Sequence, residues 1–248
     1  NNDGTLQLGD ASGDTLTFNG GLTESTTGTV TLSGSIVSSN DAINFAAITL
    51  GADTTITSAG GSIVTGNITG TSGQDITITS TGGSTNTALI NGTIGAGGNI
   101  NTIAVTGTSG LQFAGNITTN NAAGNTFTAT GSTIDTNGIT IDTNNTNNDG
   151  NITLNVDTFT ESVTMDAGTA GVIQMTPVTT DAVIEAARTN SGNISEDVFY
   201  DVDLFQVTLA NHVLIGSGSH TGNIFWGNDS AALVFSASAN LVLQNSNS

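Results

Sequence analysis

The chain has 248 residues, only 8% of them charged, and its twenty acidic side chains face a single strong cation, Arg188, for a net charge of −19. That field repels phosphates and anionic lipid headgroups, so nucleic acid and anionic membrane surfaces are disfavoured as partners, while divalent cations and cationic surfaces stay compatible with it. The absence of cysteine excludes disulfides and thiolate metal sites, and no apolar run approaches the ~20 residues of a membrane-crossing helix.

The chain opens on Asn1 without a basic, then apolar leader, as expected of a processed or excised segment. Abundant β-branched residues in ordered alternation argue against disorder. From the N-terminus onward, short runs alternate Thr with an apolar residue: residues 15–18, 29–32, 76–79, 126–128 and 139–141. Period-two alternation bounded by Gly, Asn and Ser predicts strands, each with its apolar residues on one face and its Thr and Ser on the other.

Between the strands one phrase recurs, a Gly, usually an Asn, then Ile: Gly66-Asn67-Ile68, Gly92-Thr93-Ile94, Gly115-Asn116-Ile117, Gly150-Asn151-Ile152, Gly192-Asn193-Ile194 and Gly222-Asn223-Ile224. Segments beginning at Ile63, Leu89 and Leu111 each pass through such a step to a second strand near Ile76, Ile103 or Phe127. This sets a period of roughly 23 to 27 residues. One such unit per coil predicts about ten coils, a rod on the order of 50 Å at ~4.8 Å per rung.

Residues 176–206 depart from the repeat and hold Pro177, Arg188 and Tyr200. Within them, residues 181–188 have helical composition, with Thr180 placed as an N-cap. Residues 207–215 then echo residues 48–56, so the chain returns to its repeat. The expected architecture is all-β, a parallel β-helix (β-solenoid) forming a single domain over 1–248 with one irregular insertion at about 176–206. An antiparallel β-sandwich or jelly roll is the alternative, because alternation alone does not separate the two.

The phrases at residues 50–56, Gly61-Ser62-Ile63, Gly66-Asn67-Ile68 and residues 207–211 resemble those of bacterial β-strand-repeat surface proteins, the group around filamentous haemagglutinin and autotransporter adhesins. The resemblance covers most of the chain outside residues 176–206. It implies a right-handed parallel β-helix, export to the cell exterior or surface, and roles in adhesion or surface structure.

Candidate chemistry is sparse. His212 and His220 are the only neutral-pH bases, and neither sits in a nucleophile motif, so both are expected to be ordinary surface residues. A carbohydrate-cleaving or carbohydrate-binding passenger would need converging carboxylates, for which Asp135 with Asp142, or Glu196, Asp197, Asp201 and Asp203, are the candidates. No catalytic residue is assigned, and the chain is read as a non-enzyme.

No cofactor is expected apart from calcium, whose candidate ligands are Asp142, Asn144 and Asp149 in an Asn-rich loop that lacks the Gly and Glu of the helix-loop-helix pattern. Tight turns explain that loop equally well. Thr-x-Thr steps invite an ice-binding reading, but their spacing varies without a fixed phase, which favours generic strand preference for Thr.

Sequons occur at Asn67, Asn91, Asn116, Asn144, Asn151, Asn193 and Asn228, and stacked Asn ladders are an alternative use for those in the repeated phrase. Phe199, Tyr200, Phe225 and Trp226 are the candidate contact residues, to be weighed against packing. The expected function is an extracellular structural or adhesive solenoid, a subunit of a surface filament or surface layer. Its expected partners are further copies of itself in end-to-end contact, or glycans of a host or neighbouring cell.

Overall fold

The computed structural model describes residues 4–24, 28, 30–81, 87–97, 100–120, 124–145, 148–181, 183–186, 197–200, 205–221, 224–226, 240–244 and 246. Strand pairing among them is parallel throughout and no helix occurs. The chain is a β-solenoid that crosses three faces in the same order on each turn from Leu6 to Thr176, with every pairing parallel, which rules out the antiparallel sandwich.

Each face is organised by a column of inward side chains, one per rung. The first runs Leu6, Val30, Ile48, Ile68, Ile94, Ile117, Ile141, Met165, Val207. The second runs Leu16, Ile36, Ile56, Ile78, Val105, Ala129, Leu154, Met175, Ile215, Leu243. The third runs Leu22, Ile43, Ile63, Ala88, Leu111, Ile134, Phe159. Away from the two ends these side chains are buried, and burying each large one stabilises the fold by about 1.5–3 kcal/mol.

The recurrences read from the sequence are physical stacks. Ile76, Ile103 and Phe127 share a column, and the echo of residues 48–56 in 207–215 places Val207 above Ile48 and Ile215 above Ile56. One alignment moves by a residue. Ile63 stacks on Ala88 and not on Leu89, because Ala88 and Ile90 take the buried positions and Leu89 faces outward.

The repeated phrase marks corners, not one phase of the coil. Ile68 and Ile117 start strands of the first face with Ile94 bridging between them, Ile152 lies on the second and Ile224 on the third. Gly is required because the corners press onto the preceding turn: a Cβ on Gly66 would run into the Ala46 carbonyl, and one on Gly115 would lie 2.6 Å from the Gly92 carbonyl carbon.

The Asn caps the next turn. The Thr93 N–H donates to Asn67 Oδ1 (2.9 Å), the Thr140 N–H to Asn116 Oδ1 (3.0 Å) and the Val172 N–H to Asn151 Oδ1 (2.8 Å). On the first face Asn and Thr therefore alternate by rung, and no continuous amide ladder forms there.

Between residues 176 and 206 the helical expectation fails. Val183–Ala186 is a strand, held parallel between Asp197–Tyr200 and Ile224–Trp226, with Ile184 fully buried. The β-branched Val183 and Ile184 and two waiting partners outweigh a weak local helix preference. Along the third face the order is Gly150–Phe159, Asp197–Tyr200, Val183–Ala186, Ile224–Trp226. Here spatial order reverses chain order.

Candidate functional site

The acidic residues work mainly at corners. The Asp75 N–H donates to Asp53 Oδ1 (3.0 Å) and the Thr102 N–H to Asp75 Oδ1 (3.1 Å). The Thr179 N–H and Oγ1 donate to the two carboxylate oxygens of Asp157. These carboxylates do the same work as the Asn of the repeated phrase, accepting an amide from the following turn where the ladder bends.

The calcium candidates are engaged in the same way. Asp142 Oδ1 accepts the Asn144 N–H (3.0 Å), and Asp149 Oδ2 accepts the Ala170 N–H (2.7 Å) and the Thr169 hydroxyl (3.1 Å). Asp142 stacks in register on Asp166. Burial raises its carboxyl above the ordinary value, the Asn144 N–H opposes this, and Asp166 adds to the rise. Among the described residues no three His, Asp or Glu side chains gather where a metal could sit.

Asp135 and Asp142, considered as a carboxylate pair, fall on different faces on either side of a corner. Asp135 there accepts from Gln112 Nε2 (3.2 Å) and the Asn137 N–H. Glu196, Asp201 and Asp203 lie outside the described residues, as does the side chain of Asp197.

Of the aromatic candidates only the backbone is described. Register places Phe199 and Phe225 beside Glu185, and Tyr200 and Trp226 beside Ala186, on adjoining rungs of the third face. Their side chains lie outside the described residues.

His220 is not a surface residue. It is 1% exposed, neither ring nitrogen has a hydrogen-bond partner among the described residues, and burial lowers its pKa against an opposing pull from Asp181. It sits in the turn after His212–Gly216, where its N–H donates to the Ser217 carbonyl and its own carbonyl accepts the Ser246 N–H (2.7 Å).

Two features were missed from the sequence. The first is an ordered outer surface on the second face, where Thr55, Thr77, Ala104, Thr128 and Thr153 form one outward column and Thr57, Thr79, Thr106 and Thr130 form the next. The Thr-x-Thr steps at residues 55–57, 77–79 and 128–130 do share a phase. It is hidden in the sequence because corner lengths vary, so that Ile36 to Ile56 spans 20 residues, Ile78 to Val105 spans 27 and Met175 to Ile215 spans 40. Aligning the chain on its buried column, not on residue count, would have revealed it.

The second is the state of the end rungs. Asn240–Gln244 pairs with His212–Gly216, and its Leu241, Val242 and Leu243 are 36%, 38% and 43% exposed, whereas Val213 and Ile215 one rung below are buried. At the other end Thr15–Phe18 pairs with Val30–Ser38, and Leu16 and Phe18 are only partly covered.

No protein-family model, curated protein or solved structure matches the chain.

Proposed function

We propose that this solenoid is a structural scaffold of the cell exterior that assembles end to end with further copies of itself. The observation that carries this reading is the rung Asn240–Gln244, which presents an apolar row and a strand edge without a partner among the described strands. A parallel strand has two unlike edges, so the last rung of one copy offers the edge that the first rung of another lacks. Contacts between unlike ends do not close on themselves and propagate into a fibre. The likeness of the repeated phrases to bacterial surface proteins supports an exported, adhesive setting, in which a fibre multiplies weak contacts along its length.

Negative-stain electron microscopy of the purified protein tests this. Fibres with a regular axial repeat are expected, and Leu243→Lys, which sets a charge in the second-face column at the open end, should reduce them to short rods. Short rods from the unaltered protein at all concentrations would overturn the reading.

A further inference from the structure

The Thr array of the second face is independent of how the ends assemble. Alternate residues of a strand lie ~6.6–6.8 Å apart and neighbouring rungs ~4.7–4.9 Å apart. The in-register pairing therefore sets hydroxyls and methyls on a two-dimensional net. Ice carries a regular two-dimensional net of water oxygens on its prism faces, on the same few-ångström scale as those two strand spacings.

Three properties of the array fit that surface. First, the hydroxyls of Thr55, Thr57, Thr77, Thr79, Thr106 and Thr128 have no hydrogen-bond partner among the described residues, whereas corner threonines such as Thr71, Thr136 and Thr143 spend theirs on backbone carbonyls. Second, the outward positions of the two columns carry no charge from Thr15 to Thr176, in a chain of net charge −19. A charged side chain organises its own hydration shell and would break an ice-like layer; a methyl beside a hydroxyl does not. Third, no aromatic ring stands in the array on which a sugar could stack, and no cation that could hold an anion.

We propose that the second face of the solenoid binds ice, its paired Thr columns ordering water in the spacing of the crystal surface. Purified protein should shape ice crystals, hold a gap between melting and freezing points at micromolar concentration, and partition into slowly grown ice. Thr79→Tyr with Thr106→Tyr, mid-array and compatible with a strand, should reduce that gap at least tenfold while circular dichroism stays unchanged. Thr118→Tyr, outward on the first face, should keep it. Should the double variant fold poorly, Thr77→Lys, at an exposed position, carries the same expectation. No ice shaping by the unaltered protein would overturn the proposal. So would activity that survives the array substitutions, or retention on crystalline cellulose or chitin without adsorption to ice.

Discussion

His220 is the residue whose environment departs furthest from its sequence context. A polar ring buried without a hydrogen bond costs about 1–3 kcal/mol, and its lowered pKa links that cost to pH. Unfolded histidine binds its proton near pH 6.5, while the folded ring takes it up only at lower pH. The stability present above 6.5 is therefore lost as pH falls from there through the folded value. Urea midpoints measured between about pH 7.5 and pH 5.5 should fall for the unaltered protein, and this His-linked part of the slope should vanish in His220→Leu, which should also be neutral or slightly more stable at pH 7.5. Asp142 runs the other way. Its raised carboxyl withholds stability at neutral pH and returns it as pH falls through the folded value toward 3.8. Nothing around His220 in the sequence distinguishes it from His212, because the turn that holds it and the Ser246 N–H that its carbonyl accepts come together only through the stacking of the last rungs.

At the scale of strands and corners, the fold separates a strict part from a permissive one. Inside a strand the side-chain period is two, so an added residue turns every following side chain to the wrong face. At a corner, added length costs only loop closure, a few tenths of a kcal/mol for one or two residues. One Thr inserted between Thr77 and Ile78 should abolish cooperative unfolding or lower stability by about 4 kcal/mol or more, since Ile78 and its fully buried neighbours would face water. Two residues inserted after Gly97, whose surroundings are open, should change the unfolding free energy by less than about 0.5 kcal/mol. The same division decides what was legible. The strands, their inward residues and the echo of residues 48–56 in 207–215 were readable because alternation is a local property. The Thr net was not, because its order exists only across rungs joined by corners of unequal length. The strand at Val183–Ala186 was missed for a related reason: its two partners lie at Asp197–Tyr200 and Ile224–Trp226, beyond any local window.

For the whole molecule, a stack in which each rung touches only its neighbours loses order from its ends, not all at once. In the unassembled chain, hydrogen exchange should find the amides of Asn240–Gln244 and Thr15–Phe18 exchanging first and those of Ile76–Ser80 and Ile103–Gly107 last; uniform protection along the chain would contradict a column of nearest-neighbour rungs. One place breaks that simple order. On the third face Asp197–Tyr200 lies beneath Val183–Ala186 although it follows it in the chain. A polypeptide emerging from its N-terminus can lay each rung on the finished one below as far as Phe159, but Val183–Ala186 then arrives with no template on its lower side. It must wait until Tyr200 has been delivered. For growth from the N-terminus the reversal therefore predicts a pause, in which the stack holds an incomplete face until the chain doubles back to fill it.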